Sequence, residues 1–282
     1  MKQPALLTKI AELRAEHADA QVVLVPTMGA LHAGHLRLVE IAREIAGATG
    51  KVCVSIFVNP LQFDQPDDLA AYPHSLAEDC AALAGLADTV YAPDAAEIYP
   101  QSQQIMVTAP GLDSLLEGAQ RPGHFAGVLT VVTKLFCMID PAVAVFGRKD
   151  YQQLVLVRLL SEQLGLRVRI KEVAVVRNRD GLALSSRNSR LTEAQRRQAA
   201  VIHQALLAAA AAVTAGINPA DACREAEGKI NAAGLQTGYV RCVAQGSLVE
   251  VNEPIEKDCV LLAAATLAGV RLIDCVATDD LW

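Results

Sequence analysis

The stretch from Val22 to Ile45 constrains the fold more than any other part of the chain. Val22-Val23-Leu24-Val25 is a short apolar run rich in valine, which suits a strand covered on both faces. Pro26 lacks the N–H that a sheet ladder needs, so the strand is expected to stop there. From Leu36 onward, Leu36, Leu38, Val39, Ile41, Ala42 and Ile45 recur at helical spacing, with Arg37, Glu40, Arg43 and Glu44 between them. His32 and His35 then fall three apart at the helix entrance. They lie close together there, beside backbone N–H groups without helical partners and the positive end of the helix dipole. Gly29 and Gly34 would let a ligand approach the backbone. The pattern implies a phosphate site, although two histidines satisfied locally at a helix start also account for these residues.

At 282 residues the chain is longer than an average domain and can bury a large core. Hydrophobic residues make up 52% and charged ones 20%, the balance of an ordinary soluble globular protein. The formal charge of -6 argues against a nucleic-acid-binding surface. No apolar run reaches membrane-spanning length, and Met1-Lys2-Gln3-Pro4 has no signal-peptide core. The seven cysteines are odd in number and form no Cys-x-x-Cys pair, and Cys53 and Cys259 sit inside apolar runs. A reducing cytoplasm, with no structural zinc and no disulfide framework, is the expectation.

Along the chain, Thr8 to His17 reads as a short helix and Lys51 to Val58 as a second buried strand ended by Asn59-Pro60. A polar segment from Leu61 to Asp68 follows. Helices are expected over 76–86, 127–139 and 151–164, and strands over 89–91, 142–146 and 167–176, with a peripheral strand over 105–108. This alternation predicts an α/β fold, a Rossmann-like doubly wound parallel sheet, whose ligands sit outside the C-terminal strand ends near the switch point. The character changes near Arg177-Asn178-Arg179-Asp180-Gly181. Thr192 and Gln195 form a capping box opening an alanine-rich helix to about Ala215, and a second helix runs from Pro219 to about Ala232. Strands are expected over 239–243, 260–266 and 270–275, the last two joined through Leu267-Ala268-Gly269. The domain expectation is therefore residues 1–178, then a smaller C-terminal α+β domain over 179–282.

Four segments carry chemistry. The first is the histidine pair. The second is Asn59 and Gln62, neutral amides just past a strand end; they also suit a plain turn, but Gln62 can hydrogen-bond a substrate hydroxyl or carboxyl without adding charge. The third is Gly147-Arg148-Lys149-Asp150-Tyr151-Gln152-Gln153. A solvated lysine and an N-cap aspartate fit it, as does a nucleotide whose phosphates meet Lys149 and whose ribose meets Asp150. The fourth is Ser185-Ser186-Arg187, which is either a plain loop or two hydroxyls and a guanidinium fork offered to a polyphosphate.

Read together, five segments resemble the pantothenate synthetase (pantoate–β-alanine ligase) family of HIGH-type nucleotidyltransferases. They are Pro26 to His35, Ser55 to Phe63, Arg121-Pro122-Gly123-His124-Phe125-Ala126-Gly127-Val128, Gly147 to Gln153 and Leu184 to Asn188, in the family's order over about 22–190. The resemblance implies an ATP-dependent ligase. Pantoate's carboxylate would attack the α-phosphate of ATP, and β-alanine would then attack the pantoyl adenylate to give pantothenate and AMP. Carried over by residue, Met28, Gly29, Ala30, Leu31, His32, Ala33, Gly34 and His35 would line ATP, with His35 as proton donor and His32 as its partner. Gly147, Arg148, Lys149, Asp150, Val176, Leu184, Ser185, Ser186 and Arg187 would also bind ATP, with Lys149 in the catalytic set. Gln62 and Gln153 would hold pantoate, with Asn59, Pro26 and Thr27 on the substrate side; Gln62 also lies near the β-alanine path. Mg²⁺ would take most of its ligands from phosphate and water, with Asp79 a candidate for its outer shell. The second domain would close over the ATP site, and the family is usually dimeric.

Two residues depart from the family pattern. Arg148 stands where the family commonly has Glu, and is expected to face outward. Tyr72-Pro73-His74-Ser75 replaces a common Tyr-Pro-Arg-Thr. His124 is expected in a structural role or at a subunit contact. An adenylyltransferase acting on a phosphorylated acceptor, a non-catalytic nucleotide sensor and an aminoacyl-tRNA synthetase are the alternatives. The paired Gln62 and Gln153 argue against the first, intact His32, His35 and Lys149 against the second, and the absence of an evident RNA-binding module against the third.

Overall fold

The computed structural model describes residues 2–63, 69, 72, 75–254 and 258–281. Residues 64–68 of the polar segment, and Pro73 and His74 of the second departure, lie outside the described residues. Two compact units result: Met1–Gly147 with Leu156–Val173, and Arg148–Val155 with Ala174–Trp282. By compactness the later division falls after Val173, beside the sequence expectation of a single break after residue 178.

The first unit is built on six strands: β1 (Ala5–Leu7), β2 (Val22–Thr27), β3 (Lys51–Ile56), β4 (Thr89–Tyr91), β5 (Val143–Gly147) and β6 (Arg169–Val173). Their order is β1-β4-β3-β2-β5-β6, and all pairs are parallel. The chain steps outward from β2 through β3 and β4 on one side and through β5 and β6 on the other, the doubly wound arrangement of Rossmann-like sheets. Val23, Val25, Val52, Val54, Val90 and Val145 supply the buried layer against the Ala33–Ala46 helix, which contributes Val39 and Ala42. Branched side chains fit a pleated surface covered on both faces, so the valine runs mark the central strands.

β2 does not stop at Pro26. It continues to Thr27, with Pro26 opposite Ser55 of β3. The other side explains the tolerance: β5 pairs with β2 only at Val23 and Leu24. Past Leu24 the β5 side of β2 has no ladder, so a residue without an N–H breaks nothing there. The β2–β5 ladder thus ends at Leu24–Ala144, where the strand order reverses.

Residues 105–108 form no strand; they are extended chain in which the Val107 N–H donates to Thr130 Oγ1 (3.0 Å) and Ile105 is 80% exposed. β1 has no counterpart in the sequence reading, because two of its three residues are exposed and no alternation marks it.

The second unit holds an antiparallel sheet of β7 (Gln236–Ala244), β8 (Cys259–Leu267) and β9 (Val270–Ala277), with β8 in the middle. Ala268 (φ 50°) and Gly269 (φ 76°) make the β8–β9 turn; two left-handed residues match the twist of a tight hairpin. The helices Val201–Thr214 and Pro219–Ala232 pack alanines, Leu206 and Ile230 on this sheet. The Thr192–Gln195 capping box is present, but the helix expected to follow it is two segments, Glu193–Ala199 and Val201–Thr214, with Ala200 between them. Among the described residues, no helix is long and apolar enough to cross a membrane, and all seven cysteine thiols are free.

Candidate active site

After β2 the chain turns through Met28–Leu31 into the Ala33–Ala46 helix, with His32 as its N-cap. The two histidines cap the helix reciprocally. His32 Nδ1 accepts from the Gly34 N–H (3.1 Å), and His35 Nδ1 accepts from the His32 N–H (3.4 Å). Their ring centroids are 4.1 Å apart. A ring nitrogen that accepts from a backbone N–H keeps its lone pair, so the proton of each neutral imidazole sits on Nε2.

Three backbone donors of the loop before the helix are engaged within the protein. Gly29 N–H donates to Thr27 Oγ1 (3.3 Å), itself bonded to Ser55 O (2.8 Å). Ala30 and Leu31 N–H donate to the two oxygens of Asp79 (3.0 and 2.8 Å), a carboxylate only 3% exposed. Asp79 is therefore a clamp on the loop rather than a free outer-shell ligand. It also explains Gly29, where φ is +82° and a Cβ would meet Asp79 Oδ2 at 3.0 Å and Ile56 Cγ2 at 3.1 Å. A side chain at position 29 would therefore collide with protein.

At the end of β3, Asn59 caps the turn Pro60–Gln62. Its side chain is fully buried and fully bonded. Nδ2 donates to Gln62 Oε1 (2.9 Å) and Gly127 O (3.1 Å), while Oδ1 accepts from Tyr99 Oη (2.8 Å) and Leu61 N–H (3.3 Å). Two donors and two lone pairs are all that an amide has. Asn59, expected on the substrate side, thus holds the Gln62 side chain. The Arg121-to-Val128 motif pins the same turn: Gln62 O accepts from Arg121 Nη2 (3.2 Å) and His124 Nδ1 (3.0 Å). Helix His124–Ile139 approaches so closely that a Cβ at Gly127 would lie 2.1 Å from Leu61 O. Within the chain the motif braces this turn. Burial pushes the Tyr99 hydroxyl up to about 12, so it stays a donor.

In the second unit, Lys149, Ser185, Arg187 and Asn188 line one cavity with Arg271 and Asp274 of β9. Lys149 Nζ lies 3.4 Å from Asp150 Oδ1. Ser185 Oγ caps the Ser186–Arg190 turn through Arg187 N–H (3.3 Å), and Val176 O accepts from Leu184 N–H (2.9 Å). Arg148 does not face outward. Its side chain is 15% exposed and paired with Asp280 (2.6 Å), and its carbonyl accepts from Cys275 Sγ (3.2 Å). The extra cation is neutralised within the unit. Gln153 is half-buried on helix Tyr151–Gln163, whose Tyr151 Oη accepts from Gly246 N–H (2.8 Å).

Sequence reasoning passed over Tyr99, Arg271 and Asp274, which lie outside the four segments, and gave Asp79 another part. The family model described as pantoate-beta-alanine ligase matches residues 2–277. A pantothenate synthetase of Thioalkalivibrio sulfidiphilus (strain HL-EbGR7) is 48% identical over 266 residues, 93% of this chain and 92% of that protein. The crystal structure of pantothenate synthetase from Thermus thermophilus matches with a TM-score of 0.90 at 41% identity, covering 97% of this chain and 99% of that one. Pantoate-beta-alanine ligase from Francisella tularensis, complexed with beta-gamma ATP and beta-alanine, matches at 0.80 and 31%, covering 98% of each.

Proposed function

Because the chain belongs to the pantoate–β-alanine ligase family, we propose that it joins its two substrates through a pantoyl-adenylate intermediate made from ATP. A pantoate carboxylate oxygen attacks the α-phosphorus and the bond to pyrophosphate breaks. The β-alanine amine then attacks the activated acyl carbon, loses a proton, and AMP leaves with the former carboxylate oxygen.

The reciprocal histidine cap carries this reading: it turns Nδ1 of both rings to the backbone, which makes Nε2–H the donor each can offer. Those donors serve the phosphate oxygens on which charge builds as pyrophosphate departs, with His35 as proton donor. Lys149 and Arg187 balance the polyphosphate, Asp150 takes the ribose, and Met28 to Gly34, Gly147, Arg148, Val176, Leu184, Ser185 and Ser186 complete the ATP contacts. Gln62 and Gln153 hold pantoate beside Pro26 and Thr27. The protein supplies position and field rather than a nucleophile.

Mg²⁺ enters with ATP by family likeness, taking most of its ligands from phosphate and water. By family likeness the enzyme is a cytoplasmic homodimer, and its free thiols suit a reducing compartment.

The test is ATP–pyrophosphate exchange and AMP release with each substrate omitted in turn. Exchange should require pantoate but not β-alanine. AMP release in quantity should require both. His35→Ala should lower exchange by ~10²–10³ in a folded protein; exchange without pantoate, or an unimpaired His35→Ala enzyme, overturns the reading.

A further inference from the structure

Gln62 can present either end of its amide to a ligand, and a sequence does not say which. The Tyr99–Asn59–Gln62 chain decides it. Tyr99 Oη donates to Asn59 Oδ1 (2.8 Å), which fixes Asn59 with Nδ2 toward Gln62 and Gly127 O. Asn59 Nδ2 then donates to Gln62 Oε1 (2.9 Å), so the carbonyl end of Gln62 is occupied from within. Gly127 O holds the relay from the far side, since an inverted Asn59 amide would set oxygen against oxygen at 3.1 Å. The backbone of Gln62 is held by Arg121 and His124, so the side chain cannot escape by moving the turn. Among the described residues, none accepts a hydrogen bond from Gln62 Nε2.

We propose that Asn59 and Tyr99 are positioning residues that lock Gln62 as a hydrogen-bond donor, making this subsite selective for an acceptor group such as a carboxylate or a hydroxyl lone pair. The proposal rests on the assignment of Gln62 to pantoate. It goes beyond that assignment in giving the polarity of the contact and its source. Since burial holds the Tyr99 proton in place to about pH 12, the relay has one direction throughout the working range.

Polarity separates this role from packing. Asn59→Ala lets the Gln62 amide turn freely, whereas Asn59→Asp sets an acceptor against Oε1, turns the amide over and presents an oxygen to the substrate. Steady-state kinetics of the full enzyme should therefore show the pantoate KM of Asn59→Asp at least ~10-fold above that of Asn59→Ala, with the ATP KM of both within about twofold of wild type. Packing predicts the reverse order, because alanine leaves the larger void. Tyr99→Phe keeps the ring and removes only the donor; its pantoate KM should rise about 3- to 10-fold with the ATP KM unmoved. Circular dichroism and urea midpoints establish folding. If Asn59→Asp does not fold, Tyr99→Phe decides alone. An unchanged pantoate KM in that variant, equal changes in both substrates' KM, or a worse Asn59→Ala overturns the relay. Failure of the functional reading looks different: the wild-type enzyme itself would then show no pantoate-dependent turnover.

Discussion

Asp79→Asn would test whether the loop before the histidines is held in shape by one buried carboxylate. In the native protein both carboxylate oxygens accept backbone N–H groups, from Ala30 at 3.0 Å and Leu31 at 2.8 Å. Asparagine keeps one acceptor and sets an NH₂ against the other N–H. A hydrogen bond to a charged group is worth ~1.5–3 kcal/mol, and an orphaned buried donor costs about 1–3 kcal/mol. The expected local loss is therefore about 2–4 kcal/mol, which corresponds to roughly 30- to 1,000-fold faster opening of these two amides. Hydrogen exchange measured by mass spectrometry on peptides covering 22–35 reads that opening directly, without requiring the two units to unfold together. Because the loop leads into His32, the ATP KM should rise while the pantoate KM holds. The Mg²⁺ requirement should not change, since both oxygens accept from backbone N–H groups. Native-like exchange at 30 and 31 together with an unchanged ATP KM would refute the clamp.

Gly127→Ala places a Cβ 2.1 Å from Leu61 O, so the His124–Ile139 helix must shift; a stability loss of about 1–3 kcal/mol by urea titration and a raised pantoate KM are expected. Burial lowers the pKa of His17, whose Nδ1 has no partner, while the unfolded chain protonates near the ordinary value of 6.5. The unfolded state thus binds more protons as the solution acidifies. Stability is full above about pH 6.5 and falls as pH drops through the interval down to the lowered value; His17→Gln should flatten that part of a urea-midpoint profile. Arg148→Glu sets two carboxylates together at Asp280 and should raise the ATP KM through the adjoining Lys149, and adding Asp280→Arg should restore it; a double variant no better than the single removes the pair's role.

The outline of the fold was legible because its signals are local. Valine runs, a proline, a capping box and an Ala-Gly turn each declare themselves within ten residues, and the strand–helix alternation follows from them. Contacts that are remote in sequence were not legible. Asp79 lies 48 and 49 residues from the amides it holds, Tyr99 lies 40 from Asn59, and Asp280 lies 132 from Arg148. None of these residues has a pattern of its own, since each is one polar side chain whose meaning comes from the register that brings its partner near. Pro26 shows the same limit from the other direction: the rule against proline in a ladder is sound, but it acts only where a neighbour exists, and β5 has parted from β2 before Pro26 is reached.

A motif therefore names the side chains that meet a ligand without naming the atoms. His32 and His35 could each turn Nδ1 or Nε2 outward, and Gln62 could turn oxygen or nitrogen. In all three an inner partner fixes the orientation of the group: a backbone N–H for each imidazole, the Asn59 amide for Gln62. If that holds, the chemistry of this site should be more sensitive to inverting those inner partners than to deleting them, because deletion leaves a group free to find its best orientation whereas inversion fixes the wrong one. This is why an isosteric change at Asn59 is expected to do more harm than a truncation.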